Sequence, residues 1–144
     1  MKPSLEFAQK TDLAYNAVCK PLCKELGLPQ TSFDILLFLA NNPGYTTARD
    51  IVEVRRIKAN LVSIHVERLV REGYLTRRAV PGDRRKVELL CTPKAAPVVQ
   101  RGRALQEAFI QSLFTDIDEP TRRAFLAAVE QMNRNLNTIL KENT

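Results

Sequence analysis

A chain of 144 residues suits one compact domain, or one domain with helical extensions, and its 44% hydrophobic content argues against wholesale disorder. The longest apolar run, residues 35–40, is far short of the roughly 20 residues a membrane span needs. With no apolar signal core in residues 1–6, a cytoplasmic protein without membrane contact is expected. The net charge of +6 is confined: residues 49–86 hold eleven Lys/Arg against five Asp/Glu, while outside that window the two signs cancel. Such concentration is the footprint of a phosphate-binding surface.

In chain order, the first helix is expected over 4–26, with Leu5, Ala14, Val18, Leu22 and Leu26 apolar. Pro21 inside it removes a backbone donor and should kink it, and Gly27 should end it. Leu28-Pro29-Gln30 opens a second helix whose Phe33, Leu36, Leu37 and Ala40 form one buried face. Residues 41–44, Asn-Asn-Pro-Gly, stop it. Thr47, three residues before Asp50, is a variant of the capping box and starts a short third helix reaching about Val54. Residues 55–58 form a turn, and a fourth helix covers 59–72 with Val62, Val66 and Leu69 inward. Gly73 closes it.

Residues 74–80 and 86–91 read as two strands around the Pro81-Gly82-Asp83 turn. Thr92-Pro93 matches a helix cap followed by proline at the first helical position, so a fifth helix should run to about Phe114, with Pro97 disturbing its start. Asp118 starts a sixth helix. There Phe125, Val129, Met132, Leu136 and Ile139 recur at spacings of 4, 3, 4 and 3, a heptad-like seam that needs a partner. That partner is either the same chain or an identical helix in a dimer.

Two helices, a recognition-type helix and a hairpin with an arginine-bearing tip outline a winged helix-turn-helix: mainly α with a small β wing. A helix in the major groove needs an inward apolar stripe and a polar outward face. The fourth helix offers Asn60, Leu61, Ser63, Ile64 and Arg68 off the stripe. Asn reads adenine and Arg guanine through paired hydrogen bonds, and Leu61 and Ile64 suit a thymine methyl. Arg55, Arg56, Lys58 and Arg71 are better placed for phosphates, which position without reading sequence. At the tip Asp83, Arg84, Arg85 and Lys86 follow one another, and the Asp83 carboxylate is expected to hold the Arg85 guanidinium extended for a narrow minor groove. His65, next to inward Val66, is expected to be partly buried and structural.

Cys19, Cys23 and Cys91 form no CxxC pair, and His65 lies far from them in sequence. Buried reduced thiols are expected, with neither metal nor cofactor; an intersubunit disulfide is the alternative.

With these residues in view the chain resembles the MarR (multiple antibiotic resistance regulator) family of transcription factors. Three parts carry the resemblance: residues 27–37, similar to the start of that family's second helix; residues 66–75, similar to the end of its recognition helix; and Asp83-Arg84-Arg85 with Thr92, similar to its wing signature. The resemblance implies a homodimer, with residues 1–28 and 93–144 as dimerisation helices and 29–92 as the DNA-binding domain. It further implies a pseudo-palindromic double-stranded DNA operator, repression, and relief by a small-molecule effector. Arg85 would be the minor-groove arginine with Asp83 its orienting partner, and Tyr15, Cys19 and Phe33 would lie near the effector. The chain departs from the family pattern at Arg55-Arg56-Ile57-Lys58, where a Gly and a Ser/Thr cap are usual. It departs again at Cys91, expected to be a small core substitute for Leu.

Two other classes compete. A winged helix serving as a protein-interaction module needs an exposed apolar patch, for which Leu61 and Ile64 are the only support. An enzyme needs a base, nucleophile or ligand cluster, and the sequence offers none.

Overall fold

A computed structural model describes residues 2–144. The elements run α1 (Pro3–Leu26), α2 (Gln30–Asn41), α3 (Ala48–Asp50, prolonged by a π-helical turn, Ile51–Arg55), α4 (Ala59–Arg71), β1 (Leu75–Val80), β2 (Asp83–Cys91), a 3₁₀ turn (Pro93–Ala95), α5 (Ala96–Leu113) and α6 (Glu119–Glu142). This is the mainly α class with a β wing. The chain forms two compact units, one ending at Glu107 and the other comprising Ala108–Thr144.

Local chemistry sets the helix boundaries of the first unit. Gly27 stops α1 in the left-handed region at φ 68°, its N–H donating to carbonyls of the last turn, a conformation that side chains with a Cβ disfavour. Pro21 is accommodated inside an unbroken α1. At α3 the capping box forms in full: Thr47 Oγ1 accepts from the Asp50 N–H at 3.1 Å, and Asp50 Oδ2 accepts from the N–H groups of Thr46 and Thr47 at 2.9 and 3.0 Å. These backbone bonds hold the Asp50 carboxyl below the usual carboxylate range.

The core is organised around α2. The sequence pattern gives it one buried face, but Ile35, Phe38 and Leu39 are buried as well as Phe33, Leu36 and Leu37, and Ala40 is only half-buried. Several elements explain the difference, since α1, α4 and β2 all pack against α2 and a helix covered from several sides loses its polar face. Around it gather Cys19, Leu22 and Cys23 of α1, Val62, Val66 and Leu69 of α4, and Leu75 and Leu89 of the hairpin. Buried Ser32 is satisfied by His65, Oγ to Nδ1 at 2.9 Å, the structural role expected of that histidine.

The wing pairs antiparallel from Leu75 with Cys91 to Ala79 with Val87, and then the register shifts so that Val80 faces Asp83. Arg84, Arg85 and Lys86 fall in that irregularity, between two successive register pairs, and β2 begins at Asp83, three residues before the expected start. Gly82 makes the tight reversal possible at φ 83°. Leu89 N–H donates to Thr46 O at 2.7 Å, tying the wing to the segment before α3. Two expectations at its far end are corrected. Thr92 has cap geometry but makes no side-chain cap bond; its hydroxyl donates to Gly73 O instead. Cys91 ends β2 exposed rather than in the core, within 3.9 Å of Leu36 O.

In the second unit Asp118 caps α6, its Oδ1 accepting from Thr121 N–H at 2.8 Å. Phe114 meets Phe125 edge to face at 5.6 Å, and the Arg122 guanidinium lies over Phe114 at 4.7 Å. No residue of α6 is buried; Phe125, Met132, Leu136 and Ile139 of the seam are all about half exposed.

Gly102 is packed against α2 with no room for a side chain, since a Cβ built there would lie 2.7 Å from Leu37 Cδ2. We expect Gly102→Val to lower stability by about 1–3 kcal/mol through overpacking. A urea midpoint that falls at constant slope would report it.

Candidate nucleic-acid interface

The recognition-type helix α4 buries Val62, Val66 and Leu69, as its 4 and 3 spacing requires. This turns Asn60, Leu61, Ser63 and Ile64 to solvent, with Ile64 60% exposed, while Arg68 is half-buried and Arg71 exposed. Lys58 occupies the N-cap position without a side-chain cap bond, so the first turn of α4 keeps its N–H groups for an anion or water. The turn before it is strained: Arg56 sits at φ 66°, ψ 40°, a left-handed conformation that costs a non-glycine residue about 1–2 kcal/mol. Glycine would occupy that place without strain, and this chain holds an arginine there.

Ion pairing divides the cations of the basic window into two groups. Arg49 pairs with Glu53, Arg55 with Asp34, Arg68 with Glu72, Arg77 with Glu67 and Arg78 with Glu88, all between 2.8 and 3.5 Å. Arg56, Lys58, Arg71, Arg84, Arg85 and Lys86 make no salt bridge among the described residues and are all exposed. The unpaired cations thus lie in the turn before α4, at the end of α4 and at the wing tip. Every one belongs to the set singled out from the sequence. A protein uses isolated surface pairs for little stability, but six unpartnered cations repel one another and favour a polyanion.

The geometry of Asp83 differs from expectation. Its Oδ1 accepts from the backbone N–H of Arg85 at 3.0 Å, not from the guanidinium. The carboxylate therefore fixes the backbone of the tip and leaves the Arg85 side chain free to extend. Between α3, α4 and the hairpin runs a groove of about 350 Å³, floored by Val52, Val62, Val66 and Leu89 and bordered by Arg49 and Arg77. A second of about 460 Å³, beside Thr47 and Asp50, is bordered by Arg85 and Lys86. Arg49 and Arg77 had only been counted as charge. The alternation of β1 gave a signal for Arg77; nothing local gave one for Arg49.

Tyr15 and Cys19 are neighbours joined by a side-chain hydrogen bond, and with Phe33 they differ mainly in exposure. Tyr15 lines a separate cavity of about 140 Å³ with Asp34, Phe38, Arg55 and Gln106, whereas Cys19 and Phe33 are fully buried in the core. Burial pushes the Tyr15 hydroxyl up to about 12, the Cys23 thiol up to about 11 and the Cys19 thiol upward, which keeps both thiols protonated and weakly nucleophilic. Asp34 had not been singled out. Burial raises its carboxyl to about 6 against the opposing effect of Arg55, and its Oδ1 has no hydrogen-bond partner. The signal for it was a lone acid at the head of the six-residue apolar run. No group of three or more His, Cys, Asp or Glu among the described residues is arranged to hold a metal ion.

A helix, a tight basic turn, a second helix with a polar outward face and a hairpin tipped with unpaired cations define a winged helix-turn-helix protein. Residues 26–86, from the end of α1 to the basic trio of β2, match the model of the MarR family. The solved transcriptional regulator PA3341 is 25% identical over 92% of this chain and 97% of its own, with a TM-score of 0.77. A MarR family regulator from Listeria monocytogenes, complexed with 26mer DNA, superposes with a TM-score of 0.81 at 17% identity, covering 94% of this chain and 90% of that one. BpsR of Bordetella bronchiseptica, whose DNA binding is regulated by 6-hydroxynicotinic acid, gives 0.69 at 23% identity over 92% and 99%. No curated protein sequence matches the chain. Residues 26–86 are thus similar to the MarR family, and the chain has the fold of solved transcriptional regulators.

Arg56 carries a testable trade. Arg56→Gly is expected to raise stability by about 0.5–1 kcal/mol by removing left-handed strain. It should also lower the slope of log affinity against log salt for DNA by about one charge. A lower denaturation midpoint in the variant would refute the strain argument.

Proposed function

We propose that the protein is a homodimeric, sequence-specific DNA-binding transcriptional repressor of the cytoplasm, relieved by a small-molecule effector. Residues 59–72 enter the major groove of each half of a pseudo-palindromic operator. Asn60 and Arg68 read base edges, with Ser63 beside them and Leu61 and Ile64 against thymine methyls. Arg55, Arg56, Lys58 and Arg71 meet phosphates. The wing lies along the backbone, Arg84 and Lys86 on phosphate and Arg85 in the minor groove, with Asp83 holding the tip. Residues 1–28 and 93–144 supply the dimer contacts around the winged domain of residues 29–92.

The observation that carries this reading is the set of six exposed cations that make no salt bridge among the described residues, at the turn, α4 and the wing tip. DNA in the Listeria structure and effector control of BpsR are properties of those proteins that favour the same assignment here. Dimerisation rests on the exposed apolar seam of α6 and on Leu5, Phe7 and Leu13 of α1, all more than half exposed; large apolar stretches of that kind mark association surfaces. Among the described residues no helix is long and apolar enough to cross a membrane.

The deciding experiment is titration of the purified protein with duplex DNA from beside its own gene and with a scrambled duplex, across a salt series. Tighter binding to the first with a steep salt dependence is expected. In the same assay Arg85→Ala should weaken binding by about 1–3 kcal/mol; affinity left intact would take the wing out of the reading. Leu136→Glu combined with Met132→Glu should convert dimer to monomer in sedimentation, because two charges in an apolar seam cannot be buried unpaired. A dimer that survives both would move the interface away from α6.

A further inference from the structure

The Asp34 carboxylate is the least satisfied polar group in the first unit. It sits on α2 inside the protein, with Oδ1 sealed from solvent and without a hydrogen-bond partner. Its Oδ2 has the Arg55 guanidinium at 3.5 Å, beyond the 2.7–2.9 Å of a strong charge-assisted bond. A side-chain hydrogen bond with Gln30 and the Arg55 charge offset part of the cost of burying this carboxylate, and a closer cationic donor would lower its energy further. Beside it lies the 140 Å³ cavity, with Leu37 and Phe38 giving an apolar wall and Tyr15, Asn41 and Gln106 a polar one. Cavities of about 150 Å³ hold a single benzene ring. Arg55 also lines this cavity and is 41% exposed, so its guanidinium can leave for solvent.

We propose that this cavity binds a small ring-sized organic cation, whose ammonium or amidinium replaces the Arg55 guanidinium at Asp34. The inference rests on the effector-responsive reading above and assigns its ligand a chemical class. An anionic ligand is disfavoured, because Asp34 already places negative charge in the cavity and, among the described residues, Arg55 is the only cation lining it. Two like charges side by side in a half-open site repel. A neutral ring fills the apolar wall but brings no positive charge to replace that of Arg55 at Oδ2. An ammonium supplies three donors and the opposite charge. The exchange reaches the DNA side directly: Arg55 ends the π-helical turn and adjoins Arg56 and Lys58, which lead into α4. Released from Asp34, Arg55 no longer anchors that turn to α2, and the approach of α4 loses its fixed geometry.

The test uses the full-length protein at pH 8, where Asp34 is ionised, with benzylamine, benzyl alcohol and benzoate as probes of one shape and three charges. Calorimetric titration should show benzylamine binding at least about tenfold more tightly than benzoate, a difference of about 1.4 kcal/mol. Asp34→Asn should bring benzylamine to the level of benzyl alcohol. Should that variant fail to fold, Asn41→Trp, at an exposed position lining the cavity, should block the cavity and abolish benzylamine binding without touching the core. Equal or tighter binding of benzoate, or benzylamine binding that survives in Asp34→Asn, would overturn the ligand class while leaving an effector-responsive regulator intact. Absence of binding by all three probes would overturn the site. Charge-selective binding lost in Asp34→Asn, in a protein that recognises no DNA, would support the site and overturn the regulatory reading.

Discussion

Burial of α2 is the constraint on which the rest of the first unit depends. A twelve-residue helix with seven buried positions can be stable only if other elements cover it from several directions, since each buried Leu, Ile or Phe side chain contributes about 1.5–3 kcal/mol only once removed from water. α1, α4 and β2 supply that cover. The arrangement fixes which faces of α4 and the hairpin turn inward and so which turn outward. Asn60, Ser63 and Ile64 point to solvent because Val62, Val66 and Leu69 must reach α2. The candidate interface is in this sense the complement of the core.

The same constraint explains the odd chemistry around α2. Ser32 and Asp34 sit on a helix with little polar face left to give. Ser32 finds His65 from α4, which satisfies it and ties the recognition-type helix to the core. Asp34 has a side-chain hydrogen bond with Gln30 and a guanidinium at 3.5 Å, and its Oδ1 still lacks a partner. The sign of its pH contribution follows. With its carboxyl raised from 3.8 to about 6, the folded chain binds a proton between those values that the unfolded chain does not. This residue therefore favours the fold most at low pH, and the contribution fades as pH rises through 6. Asp50 shows the opposite case, a lowered carboxyl whose contribution is lost on acidification. Two acids sixteen residues apart thus pull stability in opposite directions, because burial dominates at Asp34 and backbone donors dominate at Asp50.

What was legible in the sequence was whatever short-range chemistry decides. Gly27, the Thr47–Asp50 box, the inward stripe of α4 and the Pro81-Gly82 reversal all act within a few residues, and each appears where the pattern placed it. The misplaced details depend on distant partners. Thr92 looked like a cap, but Gly73 takes its hydroxyl. Asp83 was paired by spacing with a guanidinium, yet the strand geometry presents it with a backbone N–H. The start of β2 moved because a register shift, set by pairing with β1, absorbs residues 84–86. Asp34 went unnoticed because its meaning lies in what α1, α5 and the π-helical turn bring to it.

The charge distribution gives the last step. Five of the eleven basic residues in the window are held by acids close in space, and neutralising the others would have required only a few more Glu or Asp. Instead Arg56 occupies a left-handed position that glycine would fill without strain, and three consecutive cations stand in the irregular part of the hairpin. Both choices work against stability, through backbone strain in one case and like-charge repulsion in the other. Features of that kind persist where the lost stability is offset by an interaction outside the folded chain. A polyanion along the turn, α4 and the wing tip relieves the repulsion of all six cations at once, and releases its own counterions in doing so. A protein partner with an apolar patch would relieve none of it. The strained arginine and the unpaired tip therefore favour nucleic acid over a protein partner more strongly than net charge alone.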